Sequence, residues 1–238
     1  MLRSMRYGEA DRILHLYTPQ LGRLSAIAKG VRRARSRFGG RLEPFFRLQL
    51  DLHEGRGELL TVTGAQTIEA YPHLRADARA IDAAARACDA VGRLFETGEP
   101  HPNVFNLLCR RLSLLDAGAS PGVSGAAGRA GALAFRLKLM LAAGLAPQLG
   151  ACACCGEHEH LVGFSGASGG VVCDACWPIY DRSVSFALDP DAYGFMTEAL
   201  GQPLAAAPDA PERALGQVER AISETLEHHA NVRLMPAA

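Results

Sequence analysis

The 238-residue chain reads as an α+β protein, with a small N-terminal β-barrel followed by an α-helical domain that carries an inserted four-cysteine zinc module. Three observations lead there. Up to about residue 78 the apolar residues alternate, or come in short runs broken by glycine-bearing turns. Beyond that point they recur at helical spacing in alanine-rich stretches. Five of the seven cysteines fall within twenty-five residues. With 48% hydrophobic residues the chain has enough apolar material for a core. The domains expected are 1–78 for the barrel, 79–150 and 181–238 for the two parts of the helical domain, and 151–180 for the zinc module.

The clearest strand is "FFRLQLDLH". Phe46, Leu48, Leu50 and Leu52 fall on one side, Arg47, Gln49 and Asp51 on the other, as a half-buried strand requires. Shorter strands are predicted at Arg12–Thr18, Arg23–Lys29 and Glu58–Tyr71, with turns at Pro19–Gly22 and Glu54–Gly57. Four or five short strands around a long basic connection suit a small closed barrel. After Tyr71-Pro72, Ile81, Ala85, Cys88, Val91 and Phe95 form a helical stripe, and the same period continues at Val104–Leu115 and Gly131–Leu145. Further helices are expected at Pro190–Leu200 and Pro211–His228, with a linker at Ala205–Pro211 and a Gly/Ala/Ser-rich loop at Asp116–Gly131. The apolar stretch at Gly131–Pro147 contains Arg136 and Lys138, so it reads as a buried helix rather than a membrane span. No secretory leader is recognisable at the N-terminus, which points to the cytoplasm.

"CACC" and "CDAC" supply Cys152-x₂-Cys155 and Cys173-x₂-Cys176, separated by seventeen residues. This is the spacing of four-thiolate zinc sites, because two intervening residues form a knuckle that lets both sulfurs reach one ion. Gly156 permits the turn after the first knuckle. Disulfides and a redox dithiol compete with zinc. The odd cysteine count weakens the first and the lack of a βαβ pattern the second. Four sulfur ligands leave no open position, so one structural zinc per chain is expected. Cys154, His158 and His160 are substitute ligands of lower rank, and Cys88 and Cys109 sit on apolar helix stripes.

The formal net charge is zero but segregated: residues 1–50 hold 11 Lys and Arg against 3 Asp and Glu, the remainder 14 against 22. A basic part joined to an acidic one suggests a polyanion partner for the first, through release of counterions condensed on phosphates. No P-loop, Rossmann glycine pattern or H-E-x-x-H occurs. "GASGG" fits a nucleophile-elbow spacing around Ser168 but lies between the cysteine knuckles, and the H-x-E partner of zinc deaminases is missing. No motif points to an enzyme.

Two distant motifs resemble one family. Tyr7 to Phe45 reads Y-G-E-x-D-R, then T-x-x-x-G-x-L-S, then A-K-G-x-R-R-x-x-S, and the cysteine cluster follows with "FSGASGGVVCDAC". Together they are similar to the bacterial RecO recombination mediators, including their zinc-bearing members. The resemblance covers the chain from about Leu2 to the last helix. It implies that the barrel is an OB-fold and that the protein binds single- and double-stranded DNA and anneals strands without catalysis. It also implies work with RecR-like and single-stranded DNA-binding proteins to assist RecA loading, in a cytoplasmic, nucleoid-associated setting. Family members commonly carry more residues before the Leu-Arg that here is Leu2-Arg3. The first strand is therefore expected to be short or the barrel incomplete at that edge.

An OB-fold holds single strands with cations on phosphates and aromatics on bases. On that basis Lys29, Arg32, Arg33, Arg35, Arg37 and Arg41 are the expected phosphate ligands, with Arg12 and Arg23 secondary and Phe38 as the stacking aromatic. Glu9 and Asp11 are expected to hold arginines or turn backbone in place, and Tyr7 and Tyr17 have no assigned side. Two other readings remain: a sequence-specific regulator that uses the zinc module on DNA, and an adaptor whose basic loop meets an acidic protein.

Overall fold

The structure is a computed structural model that describes residues 1–55, 59–118, 128–177 and 185–237. Compactness divides the chain into two units, Met1–Pro121 and Gly122–Ala238.

In the first unit β1 (Arg3–Tyr7), β2 (Asp11–Thr18), β3 (Gly22–Ala28), β4 (Arg47–His53) and β5 (Leu60–Glu69) form one sheet in the order β1-β2-β3-β5-β4. All neighbours are antiparallel except β3 and β5. Alternation decides which side is core. Leu14, Leu16, Ala26, Ala28 and Val62 are buried on one face, with Leu48, Leu50 and Leu52 packed against them. Complete burial of a side chain such as Leu14 contributes about 1.5–3 kcal/mol. Phe38 and Leu42, from the basic connection, drop into the same core.

The sheet does not close into the barrel that the strand count suggests, and it is open at the edge of the first strand, where the sequence reading expects the barrel to be incomplete. A barrel needs a ladder between β1 and β4, which are the two ends of the sheet order; β1 pairs with β2 along one edge, and its other edge makes no ladder with β4 among the described residues. Two hydrogen bonds alone among the described residues join these edges, from the Met1 ammonium to the Phe46 carbonyl at 2.8 Å and from Phe45 N–H to the Met1 carbonyl at 3.0 Å. A cavity of about 450 Å³ opens beside them, lined by Leu16, Tyr17, Leu48, Leu50, Phe105 and Leu112 among others.

α1 (Ala78–Leu94) and α2 (Pro102–Gly118) belong to the same compact unit as the sheet, so the division falls well after residue 78. Contacts explain why. Arg23 donates to the Gly92 carbonyl at 2.8 Å, Phe95 packs edge-on to Tyr17, and Leu74 N–H donates to Asp116 at 2.8 Å. Asp77 caps α1 by accepting from Arg79 and Ala80 N–H. The buried stripe of α1 is Ala80, Ala84, Ala87, Cys88 and Val91, and Ile81, expected inside, is exposed. Ile81 stands apart from this stripe of mostly small residues, on the side of α1 that faces solvent.

In the second unit α3 (Arg129–Ala142), α4 (Pro190–Gly201) and α5 (Glu212–Ala230) pack on one another beside a sheet of order β7-β6-β8, made of β6 (Leu161–Ser165), β7 (Gly170–Cys173) and β8 (Ser185–Ala187). These strands are not anticipated by the sequence reading. They are only three to five residues long and flanked by glycine and serine, so no alternation can develop. α3 is buried nearly all round, and Arg136 is tolerated inside it because Glu219 pairs with it and the Met235 carbonyl accepts from it. The expected loop at 116–131 lies partly outside the described residues. Its described ends are helical, α2 reaching Gly118 and α3 starting at Arg129. No helix among the described residues is long and apolar enough to cross a membrane.

Candidate nucleic-acid interface and metal centre

The basic connection after β3 is fastened to the β1–β2 turn. Gly30 adopts φ +68°, open to a residue without Cβ, and points its N–H at Asp11, 2.7 Å from the carboxylate. Arg32 N–H donates to the Ala10 carbonyl and its guanidinium to the Glu9 carbonyl, both at 2.9 Å. Asp11 thus holds backbone in place, and Glu9 contributes its main chain.

The predicted phosphate ligands separate into two groups. Lys29, Arg33 and Arg35 are exposed, and their side chains have no ion pair or hydrogen bond among the described residues. The others are engaged within the fold. Arg37 donates to the Val62 carbonyl at 3.0 Å and lies over the Phe38 ring, and Arg41 donates to the Arg37 and Phe38 carbonyls. Arg12 pairs with Glu43 at 3.6 Å, and Arg23 pairs with Glu96 at 3.7 Å besides its bond to Gly92.

Phe38 corrects the sequence reading. Its ring is 2% exposed in the sheet core, so it plugs the fold and presents no face to a base. Tyr7, to which the sequence assigns no side, is 53% exposed. The signal that could have found it is the alternation of "RSMRY", which sets Arg3, Met5 and Tyr7 on one face of β1.

On that face His15 sits between strands, its Nδ1 3.0 Å from Ser25 Oγ and its Nε2 3.4 Å from Met5 Sδ. Burial, then the charges of Arg3 and Arg23, lower its pKa below the ordinary 6.5. A lowered folded-state value means that the unfolded chain takes up the proton first. The neutral ring's contribution is therefore intact above pH 6.5 and is lost as the pH falls through the folded-state value. The melting temperature of a His15→Gln variant should vary less with pH below 6.5 than that of the parent.

Cys152, Cys155, Cys173 and Cys176 converge, their sulfurs all within 4.8 Å of one another and those of Cys155 and Cys173 at 3.7 Å. Gly156, with φ +82°, turns the chain after the first knuckle and donates to the Cys152 carbonyl, while Cys176 N–H donates to that of Cys173. Leu161, Val172 and Trp177 supply an apolar surround. Burial works to raise the Cys152 thiol, but backbone N–H groups of Cys155, Cys173 and Cys154 outweigh it and bring its pKa to about 6. Cys176 is pushed up by proton sharing with Cys155 and Cys154 and by burial. Four thiols so close cannot all ionise alone, and a cation is what would let them. The set can hold a metal ion; Cys154, His158 and His160 lie outside it. Ser168 occupies the β6–β7 turn, with its N–H on Ser165 Oγ.

The family model described as Recombination protein O N terminal matches residues 1–71, and Recombination protein O C terminal matches residues 75–235. The chain belongs to the RecO family. A DNA repair protein RecO from Anaeromyxobacter sp. (strain K) is 36% identical over 238 residues, which span 98% of this chain and 91% of that protein. Its counterpart in Rubrobacter xylanophilus is 40% identical over 226 residues, spanning 93% and 87%. That in Myxococcus xanthus is 36% identical over 177 residues, spanning 74% and 70%. Both units of this RecO-family chain therefore have counterparts in its relatives.

Proposed function

We propose that this RecO-family chain serves recombinational repair as a non-catalytic mediator, which binds single-stranded DNA on its basic segment and anneals complementary strands. The observation that carries the reading is the pinned loop on which Lys29, Arg33 and Arg35 are exposed and, among the described residues, unpaired. Annealing requires no covalent step, because a concentrated cationic surface screens the repulsion between two strands. Family membership extends the reading to double-stranded DNA, to RecR-like and single-stranded DNA-binding partners in assisting RecA loading, and to the nucleoid.

The strand order and the parallel β3–β5 pair support an OB-type barrel, with Met1 bridging its two edges. For the metal, zinc–sulfur bonds of roughly 2.3 Å in a tetrahedron put the sulfurs about 3.8 Å apart. The Cys155–Cys173 separation of 3.7 Å fits that edge. Zinc there would be structural, one per chain, and the four thiolates would hold it while the knuckle N–H groups orient them.

Anisotropy of a labelled mixed-sequence single strand, measured across a salt series, tests the binding. With Lys29, Arg33 and Arg35 replaced by alanine, affinity should fall and the slope of log K against log salt should shrink by about 2, at roughly 0.7 for each phosphate that is no longer neutralised. A folded triple variant that bound and annealed at the parent rate would remove the basis of the reading.

A further inference from the structure

We infer that Arg47 and Arg75, beside Tyr71, form a second phosphate site, which holds one strand of nucleic acid while the basic loop holds another. This rests on the nucleic-acid reading above and supplies what annealing needs beyond the capture of a single strand.

Four arginines among the described residues rest on aromatic rings: Arg37 on Phe38, Arg47 on Phe105, Arg75 on Phe46 and Arg220 on Phe186. Two of them are engaged elsewhere. Arg37 donates to the Val62 carbonyl, and Arg220 pairs with Glu224 at 2.6 Å. The guanidinium groups of Arg47 and Arg75, 5.9 Å and 4.8 Å from their ring centroids, have no ion pair or hydrogen bond among the described residues, and both residues are exposed. Both belong to the surroundings of Tyr71. Arg75 N–H donates to the Tyr71 carbonyl at 3.3 Å, and the Arg47 charge pulls against the rise that burial gives the Tyr71 hydroxyl's pKa.

No carboxylate explains these cations. Glu69, the cross-strand neighbour of Arg47, accepts from Ala70 and Tyr71 N–H; Asp116 accepts from Leu74 N–H, and Asp77 caps α1. The acids nearby in the chain are thus given to backbone, and the arginines are left to an outside anion. A guanidinium steadied by a ring has less freedom to lose on binding, and its fork of N–H donors matches two oxygens of a phosphate.

Position separates this site from the first. β5 begins beside β3, at Leu60↔Ala26 and Thr61↔Ile27, close to Lys29, and ends at Glu69, next to Tyr71. From Thr61 to Glu69 the strand rises roughly 25 Å. One compact unit therefore carries unpaired cations at both ends of its longest strand. Two strands held on one chain meet at an effective concentration set by that separation, not by the bulk solution.

The test compares the parent with the Arg47→Ala/Arg75→Ala and Arg47→Lys/Arg75→Lys double variants. A donor-labelled single strand is bound first, with protein and strand in equal amounts. An acceptor-labelled strand that cannot pair with it is then added, and energy transfer reports both strands on one chain. Both side chains are exposed, so the variants should fold, with urea midpoints near that of the parent. The alanine variant should bind the first strand within about twofold of the parent, lose the energy transfer and anneal complementary strands about tenfold more slowly. The lysine variant should recover only part of the loss, because a point charge replaces a fork. Energy transfer and annealing at the parent level in the alanine variant overturn the second site. So does a fall in first-strand affinity as large as that from removing Lys29, Arg33 and Arg35, since all five cations would then serve one strand. A parent that binds no strand overturns the nucleic-acid reading itself, and the second site with it.

Discussion

With zinc in the proposed site at Cys152, Cys155, Cys173 and Cys176, chelation, or replacement of Cys173 with serine, is expected to melt the two knuckles. The local core amounts to the cysteines themselves with Val172, and Leu161 and Trp177 only partly covered. So little apolar surface cannot order two loops against chain entropy of about 1–2 kcal/mol per residue. A structural zinc site supplies roughly 10–16 kcal/mol in small peptides, as much as the whole stability of an ordinary domain. The loss should therefore be local and nearly complete. Trp177 is the chain's one tryptophan and packs against the cluster, so its fluorescence reports on this site alone. Elemental analysis should give about one zinc per chain, and chelation should shift the Trp177 emission to the red with a lower melting temperature. Metal content near zero in protein that keeps a blue-shifted Trp177 would show that thiols alone sustain the module.

Phe38→Ala should cost about 3–5 kcal/mol of unfolding free energy, read as a lower urea midpoint at unchanged slope. The ring fills the core between the sheet and the basic connection and also carries the Arg37 guanidinium 4.8 Å from its centroid. Truncation removes apolar packing and leaves a void where a loop with five arginines must be held down. In the fraction that remains folded, single-strand affinity should stay near that of the parent, because Phe38 presents nothing to solvent. The reverse outcome, stability within about 1 kcal/mol of the parent and a large affinity loss, would mean that the ring leaves the core to stack on a base.

Phe38 also marks where the sequence was legible and where it was not. An aromatic among arginines, with glycines after it, satisfies the composition of a stacking loop, and composition carries no information about which way a loop side chain turns. The strands were different. Leu48, Leu50 and Leu52 state their face by period, and the sheet places them on it. The four metal-site cysteines were readable because the x₂ spacing is itself the geometry of a knuckle. β6 to β8 were not, since strands of three to five residues are held by the knuckles and helices around them rather than by their own pattern. Tyr7 lay between these cases: the alternation of "RSMRY" was present, but its polar and apolar residues do not separate by face until the partner strand supplies the core side. The arginines looked alike in the sequence, and only tertiary contacts with Val62, Glu43 and Glu96 told the free ones from the engaged.

Under the proposed annealing role, the fastening of the basic loop at Gly30 and Arg32 has a kinetic consequence. A cationic tail must be ordered by each strand it captures, which slows productive encounter and makes the complex depend on how well the tail can wrap. A loop whose backbone is already set loses little freedom on contact, so capture is governed by diffusion and by the reach of its field. Fast arrival suits a surface that must catch one strand and present it to its complement.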